Sequence, residues 1–135
     1  MKNLNFLLLI IATYAFISSC SSDPSEMIVG KWKIADIKTS TEISEDQMDA
    51  YNEQIEEMKN SSKITFKADG SFEQTILEET STGNWKISED GKTLTKKNED
   101  GSSENLKIEK LTNDEMVIVS EFDDVKTTTS FKKEK

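Results

Sequence analysis

Beyond residue 29 the chain is a succession of short segments in which apolar and polar residues alternate, as in Ile64/Phe66, Trp85/Ile87 and Leu106/Ile108. A period of two sends successive side chains to opposite faces, so each segment predicts a strand with one buried face. Eight read this way: Gly30 to Thr39, Ser62 to Ala68, Ser71 to Glu78, Gly83 to Ser88, Lys92 to Lys97, Glu104 to Lys110, Glu115 to Glu121 and Val125 to Lys133. Between them stand Asp69-Gly70, Asp90-Gly91, Asp100-Gly101, Asn113-Asp114 and Asp123-Asp124. Such residues tolerate the left-handed backbone of a tight hairpin, so neighbouring strands should run antiparallel. A meander with one apolar face leaves two exposed edges unless it closes on itself. The expected fold is all-β, an eight-stranded antiparallel up-and-down barrel.

The pattern changes once. Between Ile43 and Asn60, Met48, Tyr51, Ile55 and Met58 recur at helical spacing, with Asp49, Glu53, Glu56 and Glu57 on the other side. Ser44 followed three residues later by Gln47 predicts a capping box, and Ile43 with Met48 a hydrophobic staple. One helix is therefore expected between strands 1 and 2, either packed on the barrel for stability or acting as a lid.

Strand parity also bears on the lumen. An eight-stranded barrel is just wide enough to fill itself with side chains or to hold one small ligand. In the last strand the inward row is Val125, Thr127, Thr129 and Phe131, which is partly polar. The seventh strand, Met116-Val117-Ile118-Val119, is apolar on both faces, so one pair should face outward and meet the helix or a protein partner.

Residue types prune the chemistry. There is no histidine and no arginine, and Cys20 is the only cysteine. A histidine-based triad and an imidazole zinc site are thereby excluded. Carboxylate pairs such as Glu89-Asp90 and Glu99-Asp100 adjoin glycines, where they serve turn geometry better than catalysis. The sequence implies no cofactor, no metal and no enzymatic activity. The formal charge of −9 disfavours nucleic acid and anionic membrane surfaces as partners, since both would repel it.

The amino terminus reads as an export signal. Lys2 precedes an apolar stretch from Leu4 to Ile17, then small residues Ser18 and Ser19. This run falls short of the roughly 20 apolar residues that a membrane span needs. Ile17-Ser18-Ser19-Cys20 resembles the lipobox of bacterial lipoproteins. The resemblance implies cleavage before Cys20, acylation (palmitate or a similar chain) of that residue, and a membrane partner held through acyl chains. The expected division is a signal peptide over 1–19, a polar tether over 20–27 containing the only proline, and a barrel domain over 28–135. Removing 1–19 takes away Lys2 and no acid, moving the formal charge from −9 to −10. Ser21, in the place where aspartate would signal retention in the inner membrane, favours lipid anchoring in the outer membrane, on its periplasmic face or at the cell surface.

Gly30-Lys31-Trp32 at the start of the first strand, the long connection after it, the hairpin around Asp69-Gly70 and Leu111-Thr112-Asn113-Asp114 before the seventh strand resemble the lipocalin-like domains of small Bacteroidota lipoproteins. The resemblance implies that Trp32 plugs a closed base and that the helix lies at the open mouth. Larger lipocalins lay an arginine from the last strand over that tryptophan. Lys133, which shares parity with Phe131, is the cation available here. A second copy of the motif, Gly83-Asn84-Trp85-Lys86-Ile87, echoes Gly30-Lys31-Trp32-Lys33-Ile34. Its strand runs from the mouth, which makes Trp85 a candidate ligand-facing aromatic, with simple core packing as the alternative. Ile64, Phe66 and Ile76 complete the candidate lining, and Met48, Tyr51, Ile55 and Met58 the candidate lid. The implied function is binding of a small apolar or amphipathic molecule. The alternative is an envelope interaction protein with a filled barrel and no ligand.

Overall fold

The computed structural model describes residues 23–135. The expected signal peptide and Cys20 lie outside the described residues. A short helix α1 (Pro24–Ile28) leads into β1 (Gly30–Thr39) and α2 (Glu45–Ser61). There follow β2 (Lys63–Phe66), β3 (Ser71–Ile76), β4 (Glu79–Ile87), β5 (Thr93–Asn98), β6 (Ser103–Leu111), β7 (Glu115–Phe122) and β8 (Val125–Lys133). The strands close into one barrel, each antiparallel to the next in sequence, with β8 returning to β1. The eight-stranded up-and-down barrel with one helix between strands 1 and 2 is thus the fold.

The hairpins obey the turn chemistry. Gly70, Gly91 and Gly101 have φ of 87°, 70° and 89°, in the left-handed region. The aspartate before each glycine accepts a backbone N–H two residues on: Asp69 Oδ1 from Ser71 (2.9 Å), Asp90 Oδ1 from Lys92 (3.0 Å) and Asp100 Oδ1 from Ser102 (2.8 Å). Hydrogen bonds from the hydroxyls of Ser71, Ser88 and Ser102, with these backbone bonds second, hold all three carboxyls below the usual aspartate range. The turns at 67–70, 88–92 and 112–114 lie at the end where α1 packs, and those at 77–78, 99–102 and 123–124 at the opposite end with α2.

One turn departs from expectation. β4 begins at Glu79, four residues before the predicted start at Gly83, and pairs with β3 from Ile76–Glu79 to Ser71–Asn84. The turn is therefore Leu77-Glu78, with Leu77 at φ 55°, and not Glu79 to Thr82. Glu79-Thr80-Ser81-Thr82 contains no apolar residue, so alternation cannot signal a strand there.

Two further expectations need correction. Ser44 precedes α2 as expected, but its hydroxyl makes no cap bond to the backbone. It donates instead to Gln47 Oε1 at 3.0 Å, and Glu45 and Asp46 in the first turn are what favour the helix dipole. The outward pair of β7, Val117 and Val119, does not have the helix as its main cover, because α2 leans chiefly on β1 and β3, which leaves a protein partner as the other expected cover. Val119 sits opposite Lys107 and Thr128 and is 6% exposed.

Part of the expected tether is folded as well. Asp23 accepts from Ser25 N (3.0 Å) and Ser25 Oγ (2.7 Å), and Pro24 occupies the first helical position, so α1 carries both usual start signals. Its last residue, Ile28, is fully buried in the barrel core. The core fills the closed end, with Trp32, Phe66, Phe72, Leu94 and Met116 at most 1% exposed.

Candidate functional site

The closed end is tied together by one residue from each strand of the β1–β8 seam, Trp32 and Lys133, which stand opposite each other. Trp32 Nε1 donates to Ile28 O at 2.7 Å, which anchors α1 to the plug. Lys133 Nζ lies 4.8 Å from the Trp32 ring centre and donates to Met27 O (2.6 Å) and Val29 O (2.9 Å). Lys133 therefore satisfies carbonyls left open at the end of α1 while facing the indole π-cloud. Burial pulls its ammonium below the usual lysine range, and Asp114 pulls the other way. Gly30 makes room for the arrangement. Its φ is 139°, and a Cβ there would lie 3.2 Å from both Cδ and Cε of Lys133.

Above this packed base the barrel is hollow. A cavity of about 570 Å³ occupies the lumen toward the mouth. Its wall is mostly apolar and includes Ile34, Ile37, Leu94, Leu106, Met116, Ile118 and Phe131. A bulge between Ile34 and Asp36 explains how Ile34 and Ile37 both face inward although three residues apart. From β8 the expected inward residues Thr127, Thr129 and Phe131 line the cavity, whereas Val125 is 38% exposed and does not. Of the candidate residues, Ile64, Phe66, Ile76, Tyr51, Ile55 and Met58 border it. Met48 and Trp85 do not. Met48 sits on α2 but stays 39% exposed.

Trp85 is a correction with a clear cause. Because β4 starts four residues early, Trp85 lies near its far end, at the base. Its indole donates to Lys67 O (3.0 Å) in the β2–β3 turn, and its ring meets Phe66 edge-on at 5.7 Å. The echo of the Gly30 motif is also functionally different. A Cβ at Gly83 would fall 2.1 Å from the Lys97 carbonyl oxygen, so this glycine permits close approach of the β5 backbone and not of a side chain.

The cavity wall contains one cation that alternation makes legible and that the candidate set omits. Lys96 shares parity with the inward Leu94 and is 7% exposed. Its Nζ donates to Gln74 Oε1 (2.6 Å), pairs with Glu104 Oε2 (3.1 Å) and lies 5.4 Å from the Phe72 ring centre. All four residues come from one side of the barrel, β3, β5 and β6.

A family model described as a lipocalin-like domain matches residues 28–118. The chain belongs to the lipocalin-like domain family. Among solved structures, this lipocalin-like chain is similar to a lipocalin-like protein from Bacteroides uniformis ATCC 8492, with 17% identity and a TM-score of 0.51 over 80% of this chain and 99% of that one. It is also similar to a DUF4847 family protein from Bacteroides vulgatus ATCC 8482, with 14% identity and a TM-score of 0.56 over 81% and 96%. At these identities the likeness speaks for the fold alone. A search of curated proteins found no match. Within the lipocalin-like barrel, Lys133 stands over Trp32 where larger lipocalins are expected to carry arginine. Its single ammonium cannot make a guanidinium's forked bonds, and here it reaches two carbonyls of the α1 exit instead.

Proposed function

We propose that this chain is a lipid-anchored, non-enzymatic binding protein of the outer membrane whose barrel takes one small apolar or amphipathic molecule through the end that α2 borders. The cavity carries the reading. Its volume of about 570 Å³ falls within the roughly 300–1,000 Å³ of small-molecule sites, and the surface it exposes is mainly apolar, interrupted by polar side chains such as Gln74, Lys96, Thr127 and Thr129, as an amphipathic molecule would need. A barrel working only through its outer surface has no need of such a lumen. The helix supports the same reading. No residue of α2 is buried, and Tyr51, Ile55 and Met58 border the cavity while remaining half-buried. An element with so little packing to lose opens at low cost, as a lid must.

The anchor rests on Ile17-Ser18-Ser19-Cys20. If Cys20 is acylated, α1 begins four residues later, a span of at most about 14 Å in extended chain. That short link holds the Trp32 base toward the membrane and the mouth away from it, which suits capture from the periplasm or medium. Metabolic labelling with an alkynyl palmitate should mark the wild type and not Cys20→Ala; a labelled variant overturns the anchor. For the cavity, protein extracted from its native membrane and desalted under native conditions should show a stoichiometric adduct by mass spectrometry beyond the acyl chains. Absence of an adduct, together with an unchanged melting temperature across a lipid panel, overturns the binding role.

A further inference from the structure

Lys96 is an expensive residue for its position. A lysine at an inward site must be stripped of water, and replacing a buried ion pair by apolar residues is often neutral or stabilising, so the pair is poorly explained by stability alone. The lumen wall is mainly Ile, Leu, Met and Phe with uncharged Thr, Ser and Gln, and an uncharged residue of either kind would fill the position without that cost. Between Gln74 on β3 and Lys96 on β5, strand β4 presents Ser81 opposite Gln74 and the side-chain-free Gly83 next along. Lysine can thus reach across β4 to the amide at 2.6 Å.

We propose that Lys96 and Gln74 are the head-group contact for a monoanionic amphiphile, a medium- or long-chain carboxylate, whose tail lies along the apolar wall. This deepens the binding role proposed above and rests on it. Three features carry the assignment. An ammonium has three N–H donors, of which one is spent on Gln74 and one faces Glu104, leaving one for the cavity. The Gln74 oxygen is committed to Lys96, so its amide nitrogen supplies a donor for the second oxygen of a carboxylate. Glu104 is the exchangeable partner, because its side chain is 54% exposed whereas that of Lys96 is 8% exposed. An arriving carboxylate displaces Glu104 into solvent and takes its place. Lys96 is then paired both before and after binding, and no buried charge is stranded in either state.

Charge also sets the class. With Glu104 displaced, two lysine donors and one amide face the head group and the single ammonium balances one negative charge, so a carboxylate monoanion is neutralised, whereas a phosphate dianion brings in a second charge that this ammonium leaves unpaired. The test uses the full chain, with its anchor, in nanodiscs, with protein-free nanodiscs as the blank. Dodecanoic acid, dodecan-1-ol and dodecyl phosphate compete with an apolar fluorescent probe. The acid is expected to bind about ten-fold or more tightly than the alcohol, as a hydrogen bond to a charged group warrants. Lys96→Met should abolish that preference, so that acid and alcohol bind alike, and a cooperative thermal melt reports that the variant is folded. Glu104→Gln, which keeps Lys96 and removes its competitor, should tighten the acid and leave the alcohol unchanged. Equal binding of acid and alcohol by the wild type overturns this inference and leaves the binding role standing. Tighter binding of the phosphate than of the acid overturns the carboxylate class. If none of the three displaces the probe, the binding role falls and this inference with it.

Discussion

At the closed end Ile28, Trp32 and Met116 are completely buried, whereas at the mouth α2 buries no residue and Met48, Ile76 and Leu77 stay between 39% and 40% exposed. Both ends are made from the same eight strands, so the difference lies in what is laid across them. At the base a five-residue helix is locked by Trp32 and Lys133 through three hydrogen bonds to main-chain carbonyls. Over the mouth a seventeen-residue helix is held by contacts to β1 and β3 and by the fastening of its exit, where Ser62 N donates to Met58 O and Ser62 Oγ accepts from Leu77 N. The short helix is structural and the long one is loose. A barrel of this size concentrates its stability in one half and leaves the other half free to be hollow.

The contrast can be broken by comparing equal insults at the two ends. Trp32→Ala should cost about 3–5 kcal/mol in urea unfolding, as expected for a fully buried tryptophan. Ile55→Ala on α2 should cost less than about 1 kcal/mol, because that side chain is only half-buried. If the two losses are similar, the mouth is as tightly packed as the base and the division fails. Gly83→Ala comes next, at about 1–3 kcal/mol, since its Cβ would collide with a main-chain oxygen that cannot step aside. Lys133→Met should cost a similar or smaller amount, about 1–3 kcal/mol, by leaving the carbonyls of Met27 and Val29 without their donor. Faster hydrogen exchange over α1, with that at α2 unchanged, is the signature that would place this loss at the base.

The smallest effect sharpens the comparison by being common to both ends. Asp69 and Asp90 turn hairpins at the base, and Asp100 turns one at the mouth. All three have carboxyl pKa values lowered in the folded chain, chiefly by hydrogen bonds from serine side chains. Above the usual carboxylate range these groups are ionised in both states and their contribution is fully present. As the pH falls through that range and on to the lowered values, the unfolded chain takes up protons first and the contribution is lost. Stability should therefore be flat toward neutral pH and decline in acid. Asp69→Asn and Asp100→Asn should each blunt that decline to a similar extent; a response confined to one end would show that the hairpins are not equivalent.

Much of this architecture is legible in the chain itself, and the failures are local. Asp-Gly turns and alternation locate the strands, and β1 and β8 match their predicted limits residue for residue. The start of β4 escapes because Glu79 to Thr82 is polar on both faces, and that slip of four residues is what sends Trp85 to the wrong end. The short helix α1 is signalled by Asp23, Pro24 and Ile28, yet five residues give no helical period to read. In the site, the apolar lining follows from parity, including Ile64 and Phe66. Lys96 follows from the same parity and is lost only when a lysine is assumed to face water. Its partner Glu104 is its direct neighbour across the β5–β6 hairpin, whereas Gln74, 22 residues away, is met only by reaching over β4.

The seam between β1 and β8 runs antiparallel from Trp32–Lys133 to Thr39–Thr127, so the entry of the first strand and the exit of the last emerge side by side at the base. To heat or denaturant this seam is an interior junction, with neighbours on both flanks. To a mechanical pull on the two ends it is a zip. Tension applied at the base loads the rungs singly, in order from Lys133 inward, and never shears them as a group. A molecule held by its amino end and tugged by its carboxyl end would open at the Trp32 plug first, while the cavity above stayed closed.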